Sequence, residues 1–232
     1  MSLDFDGVDD FVDHGDIAGV DLAANFTCML WLQSDAANAG EGIAGKQNLG
    51  FLYTPGANGD RIAAGQSGVW ERVTGAGTYI AGPPAHWTFA FDGNLPAADR
   101  AAIYKDGVNQ ALTGTNASAT LSDEGTLPVE VGGSLNLVAG FVDGRIAFVK
   151  MWTATLSAQE VFQEMNSYRP VRTADLVLWA PYDDGTNARD YSGRANHGTV
   201  TGALQAAGPP VSYGGEALRW RRGPLKRLWR LT

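Results

Sequence analysis

Cysteine is all but absent from this chain of 232 residues: Cys28 stands alone, so no internal disulfide forms. That excludes the small, disulfide-stapled class of secreted domains. Cys28 sits in the apolar run Phe26-Thr27-Cys28-Met29-Leu30-Trp31-Leu32, where an inert, buried thiol is expected. Histidine is scarce as well. His14, His86 and His197 lie far apart, none beside a Ser or Cys in a nucleophile's setting, and no His/Cys cluster has zinc spacing. A structural role is expected for each. No apolar run approaches the roughly 18 residues of a membrane span. Met1-Ser2 runs straight into a strand pattern, so no secretion signal is expected. No glycine-rich loop leads a strand into a helix, which excludes a phosphate cradle of that kind.

What the chain does have is glycine, 30 residues of it, with scattered aromatics and short alternating runs. These predict many short strands joined by turns, hence an all-β sandwich. Leu3 and Phe5 alternate with polar residues ahead of an Asp6-Gly7 turn, and Phe11-Val12 resumes the extended chain. Residues 26–34 read as a central strand buried on both sides. Further strands are expected in "EGIAGKQ", "LGFLYT", "GDRIAAG", "GTYIAG" and "LPVEVGGSL". In "HWTFAFDG", Trp87, Phe89 and Phe91 share one face. "AIYKDGVNQ" is a hairpin turning at Asp106-Gly107. In "DGRIAFVKMW", strict alternation puts Ile146, Phe148 and Lys150 on one side and Ala147, Val149 and Met151 on the other. One helix is predicted, opened by the capping box Ser157-x-x-Glu160, carrying Val161, Phe162 and Met165, and stopped at Arg169-Pro170. "ADLVLWAPY" returns to strand. The total is about a dozen strands, one short helix and a terminal arm.

The charge is split. Six of the 17 Lys and Arg lie in residues 217–232, which hold no acid; with 25 Asp and Glu the chain is −8, so residues 1–216 carry −8 − 6 = −14. The basic tail interleaves Arg219, Trp220, Arg221, Arg222, Lys226, Arg227, Trp229 and Arg230 with leucines. A merely solvated tail rarely carries such apolar content. Trp and Arg are the side chains that most often anchor protein interfaces, so the tail is assigned as a docking arm for a protein partner or neighbouring copies. Nucleic acid, through phosphate contacts and base stacking, ranks lower, and Gly223-Pro224 disfavours one long membrane-surface helix.

Several of these pieces, in this order, resemble one family. "LDFDGVDDFV", "FTCMLWLQ", "GKQNLGFLY", "HWTFAFDG", "AIYKDGVNQ", "VGGSLN" and "FVDGRIAFVKMWTATLSAQEV" are similar to the laminin-G-like, concanavalin A-like jelly rolls over residues 3–165. The resemblance implies an all-β, two-sheet antiparallel jelly-roll sandwich with one short helix. "LVLWAPYDDGTNARDYSGRANHGTVTGA" also resembles the family, where it ordinarily precedes the "FDGVDDFV" strand. Here it follows, which implies circular permutation, with strand 175–180 lying beside residues 3–13. The expected organisation is a jelly-roll domain over 1–208 and a docking arm over 209–232.

The resemblance further implies glycan binding on a concave sheet and a calcium ion at the rim. Trp31, Tyr53, Trp70 and Tyr79 are the aromatic candidates for glycan contact, although an aromatic in an alternating strand is more often core. Asp6 and Asp9 are the candidate calcium ligands. They lack the distal Glu of an EF-hand, Ala147 stands where many relatives carry Asp, and the plainer reading makes the acids a solvated turn. Hydrolase relatives carry a Glu-x-Asp-x-x-Glu run along one strand to oppose two carboxylates across a sugar; this chain has none, and no catalytic residue is assigned. The expected function is a non-enzymatic structural or adhesion module, a bacteriophage virion component for capsid decoration or tail-associated adhesion, made in the host cytoplasm and anchored by its arm. A soluble carbohydrate-binding lectin is the alternative, and a glycoside hydrolase ranks third.

Overall fold

The computed structural model describes residues 1–56, 59–133, 140–183 and 187–208. The whole segment 209–232 expected to be a docking arm, Arg219, Trp220, Arg221, Arg222, Lys226, Arg227, Trp229 and Arg230 included, lies outside these residues. The strands in chain order are β1 (Ser2–Asp6), β2 (Phe11–Asp13), β3 (Asn25–Ser34), β4 (Gly42–Lys46), β5 (Leu49–Tyr53) and β6 (Ala63–Gln66). Then follow β7 (Trp70–Thr74), β8 (Ala85–Asp92), β9 (Ala101–Lys105), β10 (Val108–Asn109), β11 (Leu112–Thr115), β12 (Glu130–Val131) and β13 (Asp143–Trp152). Helix α1 (Ala158–Met165) precedes β14 (Leu176–Ala180), β15 (Asn187–Ala188), β16 (Gly198–Thr201) and β17 (Leu204–Ala206).

They form two antiparallel sheets. The first has the order β10-β9-β8-β3-β13-β1-β17, with β14 also on β13; the second runs β11-β7-β6-β5-β4-β12-β2-β16-β15. The sheets pack face to face. Phe26 of the first sheet lies 4.6 Å from Phe51 of the second, and Trp70 of the second stacks on Phe89 of the first at 6.5 Å, centroid to centroid. Alternation aims Phe26, Cys28, Leu30 and Leu32 of β3 into this core with Phe89 and Phe91 of β8. Cys28 is buried there, and burial pushes its thiol far up, as an inert thiol requires.

Local chemistry sets the punctuation. Asp106 and Gly107 have φ of 50° and 77°, the left-handed pair that a two-residue hairpin turn demands. The capping box is present: Glu160 N donates to Ser157 Oγ at 3.3 Å, and Ser157 N to Glu160 Oε2 at 2.8 Å. His14 is structural. Its ring nitrogens meet Tyr182 Oη at 2.9 Å and Asn196 O at 3.0 Å, tying β2 to the segment after β14. His86 is fully buried beside Lys150, and desolvation lowers its pKa to about 3, so it stays neutral.

Several expectations need correction. Strict alternation along β13 fails because the register shifts between Ala147 and Lys150, with Phe148 at φ 57°. This bulge turns Val149 and Met151 to the core alongside Ile146, while Phe148 moves to the outer side. Phe162 is 58% exposed; only Val161 and Met165 of the expected apolar face are buried. "GTYIAG" is a loop that delivers Tyr79 to the core, and the strand at Trp70–Thr74 went unforeseen. Strand β14 pairs with residues 149–152 of β13, whereas β1 pairs with 143–146. The two therefore lie in series along one edge of β13 rather than side by side. The strand beside β1 is β17, through Ser2↔Ala206, and Gly208 packs on Met1.

Candidate functional site

One row of residues crosses the entire second sheet in register. It reads Thr115, Glu71, Gly65, Gly50, Gly45, Glu130, Asp13, Thr199, Asn187, one residue from each of nine strands. Their neighbours Trp70, Leu49, Phe51, Ala44, Val131 and Val12 point into the core, so alternation aims this row outward. At ~4.8 Å per strand the row is about 38 Å long. On three adjacent strands the residue of this row is a glycine, and all three glycines are buried. Gly65 is obligatory: a Cβ there would lie 2.6 Å from Trp70 O and 2.8 Å from Tyr53 Oη. Tyr53 Oη in turn donates to Glu71 Oε1 at 2.7 Å.

A cleft opens at each end of the row. One, of about 320 Å3, is lined by Tyr53, Gln66, Glu71 and Thr115 among others. The other, of about 360 Å3, is lined by Asn187, Ala188, Arg189, His197 and Gly198. Both fall in the size range of small-molecule sites. Their amides, carboxylate, hydroxyl and guanidinium are the groups that read hydroxyls as donors and acceptors. Within the row Glu130 and Asp13 stand directly opposite each other. Burial, and then the Asp13 charge, raise the Glu130 pKa. Like charges in that position disfavour the sheet, so the pair is a local cost.

Sequence reasoning missed this row. Its signal was glycine inside strands, at 45, 50 and 65, where glycine marks the close approach of a ligand or another backbone. Of the aromatic candidates, Tyr53, Trp70 and Tyr79 are core residues, each at most 2% exposed. Trp70 and Tyr79 therefore offer no ring to solvent, and Tyr53 acts through its hydroxyl. Trp31 alone is partly exposed, and it lies on the outer face of the other sheet.

The rim acids do converge. Carboxylate oxygens of Asp6, Asp9 and Asp10 all lie within 4.8 Å of one another. Asp10 Oδ2 accepts from Asp6 N at 3.0 Å, and Asp6 Oδ1 accepts from Val8 N at 2.9 Å, so two of the three also build the turn. Burial and the charges of Asp6, Asp9 and Asp4 raise Asp10. Asp143 pairs with Asp6 across the ladder, and burial, then Asp35, Asp4 and Asp6, raise it too. The position that meets the rim from β13 is thus Asp143; Ala147 pairs with Trp31, away from the rim. The donor set fits a hard divalent cation. Asp6, Asp9 and Asp10 would hold it, and its charge would offset their mutual repulsion.

Beside the rim, Glu41 is 1% exposed. It accepts from Asn38 Nδ2 and Tyr79 Oη, each at 3.1 Å, and its N–H donates to Thr54 Oγ1 at 2.7 Å. Burial outweighs these bonds and raises its pKa to about 7.

Two antiparallel sheets with a side-chain-poor row on one outer surface define a lectin-like jelly-roll sandwich, the fold of carbohydrate-binding modules. The chain belongs to the concanavalin A-like lectin/glucanases superfamily, whose family model matches residues 6–162. Among solved structures it is similar to a candidate carbohydrate-binding protein from Bacteroides ovatus, with a TM-score of 0.71 and 15% identity over 91% of this chain. The chain spans 61% of that protein's length. It is also similar to a heptameric SAP-like pentraxin from Limulus polyphemus (TM-score 0.48, 13% identity, covering 74% of this chain and 83% of that one). A third likeness is to the CBM40 domain of a Ruminococcus gnavus sialidase bound to sialyllactose (TM-score 0.44, 12% identity, 70% and 96% coverage). No curated protein sequence matches the chain.

Proposed function

We propose that this protein is a non-enzymatic adhesion module that binds an extended glycan along the row of the second sheet, and that it is carried on a bacteriophage particle by its basic C-terminal arm. One observation carries the glycan reading. Three buried glycines in register on adjacent strands, Gly45, Gly50 and Gly65, are flanked by Glu71 with Tyr53 on one side and by Glu130 with Asp13 on the other. A glycan needs a flat, polar floor with hydroxyl-reading groups at its edges. The Bacteroides ovatus neighbour, named for carbohydrate binding, supports the same reading. Glu71 and Glu130 stand four strand intervals apart, about 19 Å, too far to act together on one glycosidic bond, which needs roughly 5–10 Å. The arm supports the particle placement: a +6 segment without acids on a −14 body suits anchoring into an assembly.

A glycan array probed with the full chain tests the binding. Specific hits, lost in both Glu71→Ala and Glu130→Ala with the fold retained, are expected; hits indifferent to both variants would move the site elsewhere. Quantitative detection of the chain in purified particles tests the placement, and its absence there would end the particle reading. One observation favours hydrolysis as a second reading, namely the Glu130–Asp13 pair with Glu130 raised. Turnover of soluble β-glucans that disappears in Glu130→Gln would establish that reading.

A further inference from the structure

The outer face of the first sheet plays no part in the glycan reading, yet it is aromatic. Helix α1 and Leu156 cover one half of it, over Met29 and Trp152. The other half carries a continuous band. Phe148 meets Tyr168 at 5.5 Å, Tyr168 meets Trp179 at 5.8 Å, and Trp179 meets Tyr191 at 5.7 Å, centroid to centroid. Trp31 and Tyr168 both pack against the cluster of Ala147 and Phe148 at the other end. Trp31, Tyr168 and Trp179 are half-buried and Tyr191 is 42% exposed. The β13 bulge builds this band: a phenylalanine at φ 57° is a strained conformation, and it turns the ring out of the core onto Tyr168.

The end of the described chain lies next to the band. Ala206 pairs with Ser2, and Gly208 packs on Met1. Gln205 Nε2 donates to Asp183 O at 3.1 Å, and the carboxylate of the same Asp183 accepts the Tyr168 hydroxyl. Strand β17 is two strand intervals, about 10 Å, from β13. The 24 residues 209–232 could span about 80 Å if extended, so reach is no constraint. Their composition complements the band. Trp220 and Trp229 are aromatic, guanidinium groups can stack on rings, and the six cations of residues 217–232, which hold no acid, complement a body of −14 with Asp183 at the band's margin.

We infer that the C-terminal arm docks in cis on this band of its own chain, with Trp220 and Trp229 against Trp31, Tyr168 and Trp179 and the arginines toward Asp183. The band thereby shields the arm's tryptophans until the arm is drawn onto a partner. This is independent of the glycan reading, since it uses the opposite face.

Hydrogen exchange on the full chain, at two protein concentrations, tests it. Residues 217–232 are expected to exchange at least about tenfold slower than an unstructured peptide, equally at both concentrations. That protection should be lost in Trp31→Ser/Tyr168→Ser while β3 and β8 stay protected. Because that pair could loosen the sheet, Trp220→Ala/Trp229→Ala is the second variant; it lies in the arm and should raise exchange around Tyr168 and Tyr191. Random-coil exchange of the arm in the unmodified protein overturns the inference. So does protection that survives the band variants, or protection that rises with concentration, which would place the arm on a neighbouring copy.

Discussion

Glu41→Gln should abolish a loss of stability that otherwise develops as the pH rises. The carboxylate is 1% exposed, and its folded pKa is raised from 4.5 to about 7, mainly by burial. A carboxyl whose folded pKa is raised favours the folded state while protonated. Its contribution is therefore intact below the unfolded pKa and is lost progressively up to the folded pKa. The shift is about 2.5 units, so at 1.36 kcal/mol per unit about 3 kcal/mol is lost between roughly pH 4.5 and pH 7. Glutamine mimics the protonated acid. Its carbonyl can accept from Asn38 Nδ2, and its amide can donate to Tyr79 Oη once that hydroxyl turns. Urea unfolding of both proteins at about pH 5 and about pH 8 gives the difference directly, and subtraction cancels the other raised acids, Asp10, Glu130 and Asp143. The variant should match the parent within about 1 kcal/mol at the lower pH and exceed it by about 3 kcal/mol at the higher. Parallel stability curves would refute the reasoning, because they would mean Glu41 ionises as easily in the folded chain as in the unfolded one.

Three further outcomes are expected. Gly65→Ala should lower the thermal midpoint, at a cost of about 1–3 kcal/mol, because its methyl group meets a backbone carbonyl; an unchanged midpoint would show that the row can relax. Lys150 Nζ donates to Glu164 Oε2 at 2.8 Å, Glu164 O at 3.0 Å and Ser167 O at 2.8 Å. Lys150→Met leaves the Glu164 carboxylate buried without its cation and should cost about 3–5 kcal/mol; adding Glu164→Gln should recover more than half of that, and a double variant worse than the single contradicts the ion-pair account. Calcium should raise the thermal midpoint, chelation should reverse the rise, and Asp9→Asn should remove it; a midpoint indifferent to calcium leaves Asp6, Asp9 and Asp10 as turn formers.

The strands with clean alternation were legible in the sequence. Trp87, Phe89 and Phe91 share the core face, and the Asp106-Gly107 turn and the Ser157–Glu160 cap stand where local chemistry put them. Legibility ended where register slips. Nothing local announces the bulge at Phe148, because it is fixed by pairing with β3 and β14 on either side of β13. Strands β15 and β17 are too short and polar to carry a period, and pairing alone makes them strands. The row across the second sheet was invisible for a related reason. Its residues are 186 apart at the extremes in sequence, from Asp13 to Thr199, on nine strands, and only register aligns them. The aromatic band drew on β3, β13 and β14 and the two segments beside them, of which the sequence marked only Trp31 as a surface candidate and put Phe148 on the face of Ile146.

The pairing of β1 with β13 and β17 also sets a timetable. The first five strand residues find their ladder partners only at Asp143–Ile146 and at Leu204–Ala206. At a synthesis rate of about 5–20 residues per second, they wait some 10–40 s before the last partner exists. During that interval Leu3 and Phe5, both core residues, have no sheet to join. Such non-local closure makes folding slow and late. A ribosome that pauses before residue 204 holds a nascent chain with an open edge at β1, and that edge is where the newborn protein is most exposed to mispairing with its neighbours.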